Sequence, residues 1–168
     1  LPASAALLDL GQQRLKDMGR PEQVFQLVAD GLNRQFPPLR SLNNPALANN
    51  LPQQASRFIG RRRELDHVRS LVESSRVLTL TGPGGSGKTR LALQVAADLL
   101  DGSGDGVWLV ELAGVADQAG VAPAIAETLH VSVQQGRPLM DSVVDALAPQ
   151  RMLIVLDNCE HLVEACAD

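Results

Sequence analysis

The stretch LTLTGPGGSGKTR, at positions 78–90, carries the residue types and spacing best suited to chemistry. Gly82, Gly84 and Gly87 spell G-x-G-x-x-G, the fingerprint that brings backbone close to a dinucleotide pyrophosphate. Gly82, Gly87, Lys88 and Thr89 also spell G-x-x-x-x-G-K-T, the phosphate-binding P-loop. Both patterns ask backbone N–H groups to face an anion at the start of a helix, where the helix dipole adds positive potential. Lys88 and Thr89 decide between them. A dinucleotide loop has no use for a lysine directly after its last glycine. A triphosphate site does, because the ammonium reaches the β- and γ-phosphates while the next hydroxyl ligates Mg²⁺. Four fixed positions of this kind would match by chance in such a chain well under about one time in a hundred.

A P-loop needs a second oxygen ligand for the metal shell, and LIVLD supplies it. Asp157 ends that apolar run, where a buried strand would deliver a carboxylate to the loop. The dinucleotide reading can claim Glu111 as its ribose-binding acid, but a surface carboxylate at a strand end explains Glu111 as well. Asn158 follows Asp157, at the place where a second carboxylate would orient water. An amide holds a water but cannot take its proton, so general-base help is not expected there, and Glu160 is not at the matching position.

Other chemistry-bearing residues read as structural. Arg61, Arg62 and Arg63 form a basic run that suits a solvated helix start. Cys159, His161 and Cys166 have the spacing C-x-H-x₄-C, three ligands in no recognised zinc pattern. His67 falls on the polar side of a helix and His130 at a helix end, neither with a nucleophile at motif spacing. Trp108 reads as core.

The elements that would position the loop alternate in type. A helix is expected over 64–72, from Leu65, Val68, Leu71 and Val72, and a short apolar strand over 77–80 leading into the loop. A helix over 87–100 follows, with Leu91, Val95 and Leu99 at successive turns. Then come a turn at 102–106, a strand over 107–112, helices around 121–129 and 140–147, and a strand ending at Asp157 that should be buried on both faces. Strand–helix alternation predicts α/β: a P-loop parallel sheet flanked by helices. Residues 1–36 are different. QRLKDM and QVFQLV bracket Gly19–Arg20–Pro21, which predicts a hairpin with strands over 13–18 and 23–28, and residues 37–56, rich in Pro and Asn, read as a linker.

Composition narrows the function classes. The 168 residues are 45% hydrophobic and 20% charged, enough for one ordinary globular domain with an appendage. Aromatics are only 2%, so no stacking platform for single-stranded nucleic acid is available. A net charge of -4 gives no general attraction to phosphate backbones or anionic membranes, and direct nucleic-acid binding is not expected. Two cysteines make no disulfide framework, and no apolar run reaches membrane-span length. A reducing, cytoplasmic setting is expected. The chain begins at Leu1 and stops at Asp168 within a helix-like run, so both ends read as cuts.

Taken together, FIGRRREL (58–65), LTLTGPGGSGKTRLALQVA (78–96), VWLVELAGV (107–115) and RMLIVLDNCEHL (151–162) resemble the STAND-class signalling ATPases. More narrowly, they resemble the ATPase module of large bacterial LuxR-type transcriptional regulators. The resemblance implies a nucleotide switch: ATP and ADP, with Mg²⁺, favour different domain arrangements, and hydrolysis is slow and regulatory. Carried onto this chain, Gly82, Pro83, Gly84, Gly85, Ser86, Gly87, Lys88 and Thr89, with Arg90 beyond them, would hold phosphates. Lys88 and Asp157 would be the catalytic pair, and Thr89 and Asp157 the metal ligands. Ile59, Gly60 and Arg61 resemble an "hGRE" element near the adenine, with Arg62 where a glutamate is usual. The adenine nucleotide is the expected ligand, and no guanine signature follows Asp157. Family members insert a strand between the P-loop strand and the Asp157 strand, and none is present here, so an incomplete sheet is expected. Positions 11–42 resemble the C-terminal tail of class III adenylate/guanylate cyclase domains, without any of the cyclase's metal- or substrate-binding positions, so no cyclase activity is implied. The implied organisation is 1–36 cyclase-tail remnant, 37–56 linker and 57–168 P-loop domain, with the remaining parts of a split regulator as further partners. An active NTPase or P-loop kinase and a non-functional fragment are the alternatives.

Overall fold

The computed structural model describes residues 5–15, 20–33, 36, 39, 41–42, 47–52, 58–132, 136–163 and 166. Two compact units emerge, one made of 1–48 with 52–60, the other of 49–51 with 61–168.

The first unit is an antiparallel hairpin of β1 (Ala5–Gln13) and β2 (Glu22–Ala29). The first strand therefore lies earlier than the segment 13–18 predicted from QRLKDM, and residues 16–18 of that prediction fall outside the described residues. The physical reason is pairing: Ala6 and Leu7 face Val28 and Leu27, an apolar match that the charged stretch 14–17 could not supply. Register slips between Asp9 and Gln12, where Gly11 takes φ 76° and its N–H donates to Asp9 Oδ1 at 2.7 Å. That is a bulge of the kind built on a left-handed glycine. Leu7, Leu8, Phe25 and Leu27 are exposed.

The second unit is mixed α/β, with a small parallel sheet and four helices among the described residues: α1 (Arg62–Ser74), α2 (Lys88–Leu99), α3 (Val121–Thr128) and α4 (Leu139–Leu147). Each lies within two or three residues of its expected range. The apolar stripe of α1 turns Val68 inward against α2. Helix α2 buries Leu91, Leu93, Val95 and Ala96, and a 3-10 turn at Leu100–Gly102 ends it. In α3, Pro123 sits in the first turn, where its missing N–H leaves no helix bond unmade. Just before α3, a Cβ on Gly120 would stand 2.7 Å from Val115 Cγ1, so only glycine lets the chain pass there.

Strand β3 (Val107–Glu111) pairs in parallel with β4 (Leu153–Asp157), bringing Glu111 level with Asp157 at the carboxyl ends. Above the sheet, Val110, Leu112, Val121 and Leu162 form a buried cluster, joined by Ile154, Leu156, Cys159 and Cys166.

Two expectations are corrected here. Residues 77–80 do not form a strand. Leu78 and Leu80 keep the inward alternation of one, between exposed Thr79 and a Val77 that is 82% exposed, but the segment has no ladder partner among the described residues. A strand is defined by pairing, and among the described residues β4 pairs only with β3. For the same reason β4 is half-buried along its whole length rather than covered on both faces.

The other edge of β3 is occupied by a segment from the stretch that reads as linker. Asn49 makes a parallel bridge to Val107. Asn50 reproduces a strand's hydrogen bonding with its side chain: its Nδ2 donates to the Leu109 carbonyl at 2.8 Å, and its Oδ1 accepts from the Leu109 N–H at 2.6 Å. Leu51, 2% exposed, is buried beside them. Asn50→Ala should destabilise the second unit by about 1–3 kcal/mol, because both polar groups of Leu109 lose their partner. Asn50→Asp keeps only the acceptor and should do at least as much harm. Denaturant melts of both variants check this, and midpoints equal to the parent's would refute it.

Candidate functional site

The segment 77–81 delivers the chain to the loop, and α2 takes it away. Gly87, at φ 84°, is the residue before the first turn of α2, and no acidic side chain stands in that turn to oppose an anion. Lys88 and Thr89 are therefore the first helical residues, which directs their side chains back over the loop. Lys88 Nζ donates to the carbonyls of Gly82 at 2.9 Å and Pro83 at 3.2 Å, closing the loop into a ring around the ammonium. Gly82 to Ser86 are exposed, while Arg90 lies half-buried in the first turn of α2.

The decisive contact spans 68 residues of sequence: Thr89 Oγ1 donates to Asp157 Oδ1 at 2.7 Å. Sequence reasoning paired these two as metal ligands, and the structure brings them together. The register of β3 and β4 explains how. The Leu112 N–H donates to the Asp157 carbonyl at 3.0 Å, extending the ladder one residue beyond the strand and holding the backbone of Asp157 still. Asn158 then turns left-handed at φ 60°, a conformation asparagine tolerates better than most residues, and the chain leaves the sheet.

The donor set fits a hard divalent cation. A hydroxyl and a carboxylate 2.7 Å apart, both oxygen and close to solvent, suit Mg²⁺, which takes few protein ligands and keeps several waters. The loop suits a polyphosphate, with one lysine, an unopposed helix start and small side chains. Beside it runs a groove of about 340 Å³, walled by α1 residues Glu64, His67 and Val68 on one side and Thr79 to Pro83 on the other.

Arg61 is the contact that sequence reasoning located without seeing its geometry. It precedes α1 with φ 53°, its Nη1 donates to the Ser86 carbonyl at 2.9 Å, and its Nε lies 3.3 Å from Glu64 Oε1. Ile59 and Gly60, which the same reading grouped with it, belong to the first unit, whereas Arg61 belongs with the loop. Arg62 and Arg63 are exposed on α1, as is His67. Glu111 is exposed at its strand end, and Trp108 is half-buried with its Nε1 donating to the Asp105 carbonyl at 3.2 Å.

The Cys159–His161–Cys166 region is organised by packing. His161 Nε2 lies 2.8 Å from the Val115 carbonyl, which can only accept, so this nitrogen carries the proton. Both cysteines pack on the core cluster, and among the described residues no group of three His, Cys, Asp or Glu side chains could hold a metal. Burial, together with the neighbouring Cys159, pushes the Cys166 thiol above its ordinary range. Thiolate is the reactive form, so alkylation of Cys166 should be slow at neutral pH and accelerate as pH rises. Mass-spectrometric mapping of iodoacetamide labelling against pH checks this, and a rate independent of pH would refute it.

Residues 57–148 match the AAA ATPase domain, more than half of the chain. "Uncharacterized protein Rv0894" of Mycobacterium tuberculosis is 44% identical over 110 residues, covering 66% of this chain and 28% of that protein. "Putative HTH-type transcriptional regulator Rv0890c" of the same species is 44% identical over 100 residues, covering 60% of this chain and 11% of the regulator. The chain thus spans well under a third of the curated relatives it matches. No solved structure matches it. No described helix is long and apolar enough to cross a membrane. With a G-K-T loop at the head of α2, an aspartate brought to its threonine by a parallel ladder, and this match over most of the second unit, the chain belongs to the AAA ATPase domain family.

Proposed function

We propose that this chain is the nucleotide-binding switch module of a signalling or transcriptional regulator, taking ATP or ADP with Mg²⁺ at residues 82–89. The observation that carries the reading is the Thr89–Asp157 contact at 2.7 Å, one residue from a lysine already folded over the loop. The regulator context draws on the relative whose printed name is a transcriptional regulator. The STAND-class, LuxR-type assignment and the cyclase-tail origin of 1–36 rest on the sequence resemblance, and the division into 1–36, 37–56 and 57–168 on the change in composition and periodicity along the chain.

In this reading Thr89 and Asp157 would hold the metal, which would supply positive charge to neutralise the phosphates. Lys88 gives up the Gly82 and Pro83 carbonyls for phosphate oxygens, exchanging neutral acceptors for charged ones, which makes the stronger bonds. Backbone N–H groups of 84–89 bind and orient the phosphates. Asn158 positions a water without removing its proton, so turnover is slow.

Thermal melting with and without Mg²⁺-ATP tests the binding claim. Ligand at 100 times its Kd should add about 2.7 kcal/mol, a rise of roughly 5–10 °C for a chain of this size. Lys88→Ala should abolish the shift, and a parent that shows none sinks the reading. Asn158→Asp tests the chemistry, because aspartate also accepts the left-handed backbone. It should raise phosphate release at least about tenfold by restoring a general base. An unchanged rate would mean that the amide is not what limits hydrolysis.

A further inference from the structure

Arg61 is held from two sides and holds one thing. Its guanidinium spans from Glu64 Oε1, one turn into α1, to the Ser86 carbonyl in the phosphate loop. A planar fork can do this with two different nitrogens at once, whereas a lysine offers a single point charge. Peptide geometry gives the contact its force. The Ser86 carbonyl and the Gly87 N–H belong to one planar trans peptide and point in opposite directions. Fixing the carbonyl on Arg61 therefore fixes the Gly87 N–H away from Arg61, on the opposite side of the loop. Gly87 is also the residue before α2, so its amide is among the donors left free at the head of that helix. A Cβ on Gly87 would stand 3.5 Å from Arg61 Nη1, so the guanidinium packs directly against the loop backbone. Arg61 adopts φ 53°, a left-handed conformation rarely taken by arginine, and such residues persist where their surroundings over-determine them.

From this geometry we propose that Arg61 is a positioning residue for the phosphate loop: through the Ser86–Gly87 peptide it presets a phosphate-binding amide, and through Glu64 it ties that amide to α1. The proposal rests on the nucleotide reading above and departs from the sequence resemblance, which put Arg61 near the base. Loss of Arg61 should weaken ligands in proportion to their phosphates and leave the base untouched. Because Arg61 is 42% exposed, the effect is moderate, roughly three- to tenfold.

The test titrates the full chain with Mg²⁺-ATP, Mg²⁺-ADP, adenosine and, as a base-free competitor, Mg²⁺-pyrophosphate. Arg61→Gly removes the guanidinium while relieving the left-handed backbone, so the fold is spared. Arg61→Lys keeps only the charge, and Glu64→Gln weakens the helix anchor by removing its charge while keeping an acceptor oxygen. The expected result is a roughly three- to tenfold loss of ATP, ADP and pyrophosphate affinity in Arg61→Gly, with adenosine unchanged, partial recovery in Arg61→Lys, and a smaller loss in Glu64→Gln. Hydrogen exchange of the unliganded loop supplies a readout independent of ligand, and amides of 84–89 should exchange faster in Arg61→Gly than in the parent. Loss of adenosine and ATP affinity by equal factors with pyrophosphate unaffected would make Arg61 a base contact and overturn the proposal. Unchanged affinities and unchanged exchange would overturn it too. A parent chain that binds none of these ligands refutes the nucleotide reading itself and takes this proposal with it, whereas a binding parent with insensitive variants refutes only this proposal.

Discussion

The arrangement of the second unit depends on how a phosphate loop can be joined to a strand with which it shares no ladder. Residues 77–80 enter the loop without pairing to β4, so backbone hydrogen bonds do not link the two halves of the site. The link is made by the side chains of Thr89 and Asp157 and by the packing of α2 on β4. Everything that positions either residue is therefore upstream of that contact: the inward stripe of α2 on one side, and on the other the five-residue parallel register that carries Asp157 to the carboxyl edge. A neutral hydrogen bond alone is modest, but a hydroxyl donating to a carboxylate belongs to the stronger class.

That the same two atoms are fit to bind each other and a cation follows from the chemistry of oxygen ligands. In the protein alone the carboxylate accepts a hydrogen bond from the hydroxyl, and beside a cation both oxygens would have lone pairs to offer the metal. Lys88 behaves likewise, since its ammonium donates to the Gly82 and Pro83 carbonyls within the loop. The site is thus polar and open to solvent, with the side chains of Lys88, Thr89 and Asp157 each hydrogen-bonded within it. Binding in it exchanges partners, and its free energy is a difference between good hydrogen bonds and better ones.

Much of this was legible in the sequence, and the exceptions share a cause. Lys88, Thr89 and Asp157 could be read because spacing within one loop and hydropathy within one strand are local signals. The four helices were readable from periodicity for the same reason. The apolar alternation of 77–80 predicts a strand, and the segment keeps the alternation while lacking a ladder partner among the described residues, because pairing is a property of two segments and leaves no mark in one. β1 was placed too late for a related reason: its match to β2 lies in Ala6, Leu7 and Leu8, which carry no turn signal. Asn50 could not have been found, since asparagine in a Pro- and Asn-rich stretch reads as turn chemistry until the Leu109 peptide appears opposite it. Arg61 was placed near the ligand by resemblance, but its actual neighbour, the Ser86 carbonyl, is visible only in three dimensions.

The docking of residues 49–51 on β3 bears on solubility as well as stability. An exposed strand edge offers a row of unpaired donors and acceptors to any other extended chain, and such edges are where aggregates begin. Asn49 bridges Val107 and Asn50 occupies both polar groups of Leu109, so the outer edge of β3 is capped by its own polypeptide, with an amide side chain standing in for backbone. A cap made from one side chain is short and specific. It protects the middle of the strand without building a further strand, which would only have moved the sticky edge one step outward.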